Sequence, residues 1–152
     1  MKYRLYREQQ LYCDIDTAWQ FFSSPMNLSE ITPKDMAFTV LSEDQDQPIF
    51  EGMLIDYSVS PLLGIPLKWQ TKIIQVEHQK SFTDFQQKGP YKYWKHFHEF
   101  IPNEKGILMK DTVEYELPFG VLGNIVHSLL VKKKLNKIFD YRQHVLKKLF
   151  NK

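Results

Sequence analysis

The sequence predicts an α+β fold of two layers, an antiparallel sheet whose apolar face is covered by one long helix. Three features carry this reading. A strand-like opening runs into helix-start signals, a period-two pattern punctuated by turn residues extends from Met36 to Leu117, and a stretch without Pro or Gly, Asn124 to Phe150, places apolar residues at helical spacing. The 152 residues suit one core, and 1–152 is read as a single domain without internal repeats or linkers.

The elements follow in order. "YRLYREQQLYC" alternates β-prone aromatics with polar residues and forms an opening strand. In "CDIDTAWQFFSSP" either Asp14 or Asp16 can cap a helix whose apolar face is Ala18, Phe21 and Phe22, and Ser24-Pro25 stops it. A second short helix, "MNLSEITP", ends at Pro33.

Turn signals at Glu43 to Pro48, Pro61 to Gly64, His78 to Ser81, Lys88 to Pro90 and Pro102 to Gly106 then divide a meander of about six strands. Met53, Ile55, Tyr57 and Val59 share one face, as do Leu67, Trp69, Thr71 and Ile73. After the helix-breaking "LPFGVLG", Leu122, Val126 and Leu129 open an amphipathic pattern. Val131, Leu135, Ile138, Val145 and Leu149 continue it, with Arg142 between them.

Composition removes several functions. Twenty basic against 18 acidic residues leave a net charge of +2, too balanced for a nucleic-acid footprint. The single Cys13 excludes an internal disulfide, the charged N-terminus contains no secretory h-region, and no apolar run reaches the ~20 residues of a membrane span. A soluble, cytoplasmic protein is expected. Six scattered glycines build no phosphate loop, no serine sits in a nucleophile elbow, and no cofactor is expected.

The chemistry-bearing residues concentrate in "QQKGPYKYWKHFHEF". On a strand, Trp94, His96, His98 and Phe100 share one face, and the inward set of the next strand is Ile107, Met109, Asp111, Val113, Tyr115 and Leu117. A four-residue loop, Asn103 to Gly106, sets His98 opposite Asp111, His96 opposite Val113 and Trp94 opposite Tyr115. A two-residue loop would set His98 opposite Met109. The first register places a carboxylate beside an imidazole on an apolar wall, favouring charged His98 or fixing its tautomer. A satisfied core pair and a polar group orienting a ligand both fit this arrangement. His-x-His also converges as two metal ligands, but only Asp111 falls beside them, and no metal is assigned.

The succession "FTDFQQKGPYKYWKHFHEF", "GILMKDTVEYELPFGVLG" and "LNKIFDYRQHVLKKLF", with "IPLKWQTKI" and the opening strand-helix-helix, resembles bacterial SRPBCC proteins of the START/Bet v 1-like superfamily. The likeness is to a branch of stand-alone domains labelled cell-division-inhibitor-like or polyketide-cyclase-like. It implies a helix-grip fold: a curved seven-stranded antiparallel sheet wrapped around the C-terminal helix, two short helices after the first strand, and a deep hydrophobic cavity. It further implies ligand-wall roles for Trp69, Gln86, Trp94, His96, His98, Asp111 and Tyr115, and the inward Tyr57 joins them.

Binding of a hydrophobic small molecule or lipid is the expected function, with the loops Pro61 to Gly64 and Pro118 to Gly123 gating access. The alternative is a polyketide cyclase or aromatase-like enzyme in which His98, oriented by Asp111, moves protons. Lys132, Lys133 and Lys134 would also serve transient contact with an anionic membrane surface while Leu129 and Leu130 insert, a reading that competes with a plainly solvated helix face.

Overall fold

The computed structural model describes residues 1–42, 47–60 and 64–150. The turn signals over Glu43 to Pro48 and Pro61 to Gly64, and with the latter one proposed gate, fall largely outside the described residues. Seven antiparallel strands form one sheet: β1 (Lys2–Leu11), β2 (Thr39–Val40), β3 (Leu54–Val59), β4 (Leu67–Glu77), β5 (Ser81–Lys88), β6 (Tyr93–Asn103) and β7 (Gly106–Glu116). Their order is β1-β7-β6-β5-β4-β3-β2, so β2 to β7 form the meander and β1 returns to pair with the last strand.

Between β1 and β2 lie helix α1 (Ile15–Phe22) and two 3-10 segments, Pro25–Ile31 and Lys34–Met36. Asp14 is the cap, accepting from Thr17 N at 2.8 Å, while Asp16 lies in the first turn. The second short helix is therefore a 3-10 segment, started by Pro25 where its fixed φ costs nothing.

The β6–β7 register is the expected one, with His98 opposite Asp111, His96 opposite Val113 and Trp94 opposite Tyr115. The loop itself is shorter: Asn103 pairs with Gly106, so a two-residue turn, Glu104 and Lys105, sets His98 opposite Asp111 and not opposite Met109 as expected of a loop of that length. Gly106 has φ of 140°, and a Cβ there would collide with the Leu11 carbonyl, so β1 can approach only a glycine. Period two places Met53, Ile55, Tyr57 and Val59 inside, but Leu67 at the end of β4 is exposed.

The C-terminal helical run covers 31 residues in three parts, α2 (Gly120–Val126), a π-helical turn (His127–Val131) and α3 (Lys132–Phe150). It starts inside the segment read as helix-breaking, because Phe119 and Gly120 turn the chain with positive φ and helix follows at once. The buried stripe also differs from the expected one. Val131, Leu135, Phe139, Arg142, Leu146 and Phe150 are buried, Ile138 and Val145 flank them, and Leu149 is exposed. Residues 138 and 139 sit at neighbouring angles around the helix, as do 145 and 146, and the sheet takes Phe139 and Leu146. Leu122 and Leu129 do not open this stripe; both face outward.

The wide π turn brings His127 inward, where it stacks on Tyr3 at 3.4 Å between ring centres and its Nε2 hydrogen-bonds with the Tyr115 hydroxyl at 2.7 Å. Burial, with Lys132 nearby, keeps the His127 pKa below the usual imidazole value. At the other end Tyr12 N donates to the Phe150 carbonyl at 3.0 Å, tying α3 to the exit of β1. No helix among the described residues is long and apolar enough to cross a membrane.

Candidate functional site

The sheet and the C-terminal helix do not close on one another along their whole length. Near α1, Leu11, Trp19, Phe82, Phe100, Ile107, Leu146 and Phe150 pack into a filled core. Toward α2 the layers separate around a cavity of about 510 Å³. Val59, Trp94, Leu135 and Phe139 contribute to its apolar wall, and Trp69 stands edge-on to Trp94 at 5.3 Å. Where the filled core meets the cavity, five ionisable residues are brought together: Asp84 on β5, His96 and His98 on β6, Asp111 on β7 and Arg142 on α3.

The strand register explains their meeting but not their pairing. Asp84 is directly opposite His96, and Asp111 directly opposite His98, yet both short hydrogen bonds run diagonally. His98 Nε2 donates to Asp84 Oδ2 at 2.6 Å, and His96 Nε2 donates to Asp111 Oδ1 at 2.7 Å. The expected His98–Asp111 pair is thus only a secondary approach, with His98 Nδ1 at 3.4 Å from Asp111 Oδ1 and no hydrogen bond completed. Diagonal neighbours on a twisted sheet lie within reach of long side chains, and the two stacked imidazoles, 3.6 Å apart, lean along the strand to use them. Arg142 sends Nη2 to within 3.4 Å of Asp111 Oδ1 while its guanidinium lies between the rings of Phe22 and Phe139.

Charge in this buried setting follows the partners. Burial works against an ionised Asp111, but Arg142 and the two imidazoles outweigh it and hold the carboxyl well below the usual range. Asp84 is likewise depressed, the His98 hydrogen bond overcoming burial. The histidines diverge. Burial and the neighbouring His98 keep the His96 pKa low, whereas the Asp84 hydrogen bond and the charges of Asp84 and Asp111 overcome burial at His98 and raise it. The two stacked imidazoles thus shift in opposite directions, His98 toward its charged form and His96 toward its neutral one.

The sequence-derived site residues divide accordingly. Tyr57, Trp69, Trp94, His96 and His98 line the cavity. Asp111 stands one layer behind the histidines, and Tyr115 is engaged by His127. Gln86 is not on the wall: its Nε2 donates to the Tyr91 carbonyl at 2.7 Å and its Oε1 accepts from Tyr91 N at 3.1 Å, bracing the β5–β6 connection. Tyr57 commits its hydroxyl to Thr71 Oγ1. Asp84 and the pairing role of Arg142 are absent from the sequence reading. The signal for Asp84 was present, because an inward Gln86 on a strand implies an inward Asp84 two residues earlier.

Around the mouth, Phe119, Val121 and Leu129 are 81%, 77% and 70% exposed, and Leu122, Ile125 and Leu130 are exposed beside them. Phe119 and Leu122 also line the cavity, so this apolar rim is continuous with the interior. Lys132 and Lys133 follow it, exposed, and Lys134 pairs with Asp35 at 3.2 Å.

No protein-family model and no curated protein matches the sequence. Solved structures do. The protein TTHA0849 from Thermus thermophilus is 15% identical, with 97% of this chain and 95% of that one covered at a TM-score of 0.69. A protein from Arthrobacter aurescens is 11% identical over 97% and 86% of the two chains, with a TM-score of 0.68. Norcoclaurine synthase from Thalictrum flavum, solved with dopamine and hydroxybenzaldehyde, is 16% identical over 97% and 88%, with a TM-score of 0.63. These likenesses show the fold. It is the Bet v 1-like helix grip, a curved seven-stranded antiparallel sheet around a long C-terminal helix, as the sequence predicts.

Proposed function

We propose that the protein binds a hydrophobic small molecule or lipid between sheet and C-terminal helix, for transport or sensing. The observation that carries this reading is the cavity of about 510 Å³, mainly apolar along its length and polar at one pole. Apolar burial supplies affinity at roughly 25 cal/mol per Å², and the pole at Asp84, His96 and His98 selects a ligand with one polar end. Native mass spectrometry of gently purified protein, followed by thermal shift with lipids, quinones and aromatic polyketides, tests it. A discrete bound apolar compound or a ligand-dependent rise in Tm is expected; an unchanged mass and Tm across the panel would sink the reading.

A second reading has its own support. His98, fixed by Asp84 and lining the cavity, is positioned to move protons as a general acid in the cyclase or aromatase manner. His98→Ala separates the two: lost turnover with retained affinity favours catalysis, and weakened affinity alone favours a receptor.

The apolar rim and the lysines after it supply a route for loading. Phe119, Leu129 and Leu130 would enter an anionic bilayer while Lys132, Lys133 and Lys134 meet its headgroups. Sedimentation with vesicles containing phosphatidylserine, weakened by salt, is the expected behaviour; none at low salt removes this route.

A further inference from the structure

We infer that Asp84, His96 and His98 form a binding site for one divalent first-row transition-metal ion, with Asp111 as the carboxylate behind both imidazoles. One donor atom from each of the three residues lies within 4.8 Å of the others. The sequence pattern places only Asp111 beside the histidines; Asp84, brought in by β5, is the third donor it lacks.

The orientation of the rings is the stronger argument. His96 gives Nε2 to Asp111 at 2.7 Å and turns Nδ1 toward Asp84 Oδ2, 3.8 Å away. His98 sets Nε2 2.6 Å from the same Asp84 oxygen and Nδ1 3.4 Å from Asp111. Each imidazole thus presents one nitrogen to Asp84 and the other to Asp111. Metal-ligating histidines are held in this way, one nitrogen on the ion and the other donating to a carboxylate that fixes tautomer and ring plane. With Nε2 engaged by Asp111, His96 leaves Nδ1 on the Asp84 side.

Size and charge agree. Ligand bonds of about 2.0–2.2 Å require donor atoms roughly 3.0–3.4 Å apart, so Asp84 must open from His98 and close on His96 by about half an ångström each, and the two stacked imidazoles must splay until both lone pairs meet at one ion. Asp84 is the least enclosed of the three, with 18% of its side chain exposed, and rotation of its carboxylate supplies its share of the movement. Arg142 offsets the charge of Asp111, which leaves Asp84 to face the ion. The ion takes the place of the proton shared by His98 and Asp84. Two nitrogens and one carboxylate suit Fe²⁺, Co²⁺ or Zn²⁺ in preference to Mg²⁺ or Ca²⁺. All three residues line the cavity, so the remaining coordination positions open toward its ligand.

The test is titration of chelator-treated protein with Co²⁺, read by visible absorption and calorimetry, then competition with Zn²⁺. One equivalent with ligand-field bands is expected, lost in the folded His96→Gln/His98→Gln double variant and weakened about 10- to 100-fold in Asp111→Asn with the bands retained. No uptake by the wild-type chain overturns the inference without reference to any variant. Uptake unchanged in the double variant also overturns it, assigning the metal to surface groups such as His78 or His144. The readout involves no apolar ligand, so its failure leaves the cavity-binding reading untouched, and the reverse holds.

Discussion

The two ends of the interior are built from the same three elements, β6, β7 and α3, and end differently. At the α1 end, Trp19, Phe21 and Phe22 fill the space against Phe100 and Phe150. At the α2 end no equivalent plug exists among the described residues: Phe119 and Leu122 form the exposed rim of the cavity and Leu129 is exposed beside it. Stability and capacity are thus divided along one sheet, and the charged cluster marks the border. A filled core end tolerates an unfilled one because β5 and β6 run through both.

The sharpest way to break this arrangement is at the border. Arg142→Ala leaves Asp111 without its cation in a dry setting, and unfolding by urea is expected to show a loss of about 3–5 kcal/mol. Replacing both residues by Leu should recover much of that loss, because the desolvation cost leaves with the charges.

A direct comparison of the ends comes next. Leu146 is fully enclosed, and Leu146→Ala should cost about 4 kcal/mol; Leu135→Ala should cost about 2 kcal/mol, since its atoms already border open space. Equal losses would mean that the cavity collapses when empty.

Of these features the sequence shows some and conceals others for physical reasons. Strand faces are legible because side-chain direction alternates strictly, which places Trp94, His96, His98 and Asp111 together. The partners within that set are not, since diagonal bonding depends on twist and rotamers that alternation does not encode. Helix existence is legible in the uninterrupted run to Phe150, but the choice of Phe139 over Ile138 is made by the opposing sheet. Cavity volume is a difference between two layers and leaves no pattern in either.

Acid sharpens the role of the border further. Asp84, Asp111 and His96 all have pKa values below their ordinary ones, so each contributes stability above its unfolded value that is lost as pH falls through the folded one. With unfolded values of about 6.5 for His and about 3.9 for Asp, Tm of metal-free protein should decline from roughly pH 6.5 downward, most steeply below about 4. His98 has the opposite sign: its contribution is complete below the unfolded value and fades as pH rises through the raised one. A flat acid limb in thermal melts would show that these charges are balanced equally in the unfolded chain.

The smallest effect on folding belongs to the mouth. Phe119→Ser should leave stability within about 0.5 kcal/mol while reducing sedimentation with anionic vesicles, because this ring is exposed and contributes little to packing.

The pairing of β1 with β7 has a consequence for how the chain is made. Lys2 to Leu11 leave the ribosome before their partners, Ile107 to Glu116, which come about a hundred residues later, and Phe150, which Tyr12 binds, later still. While the residues between β1 and β7 are made the chain carries an orphaned strand, so it is at its most vulnerable to association with its neighbours just before the sheet can close.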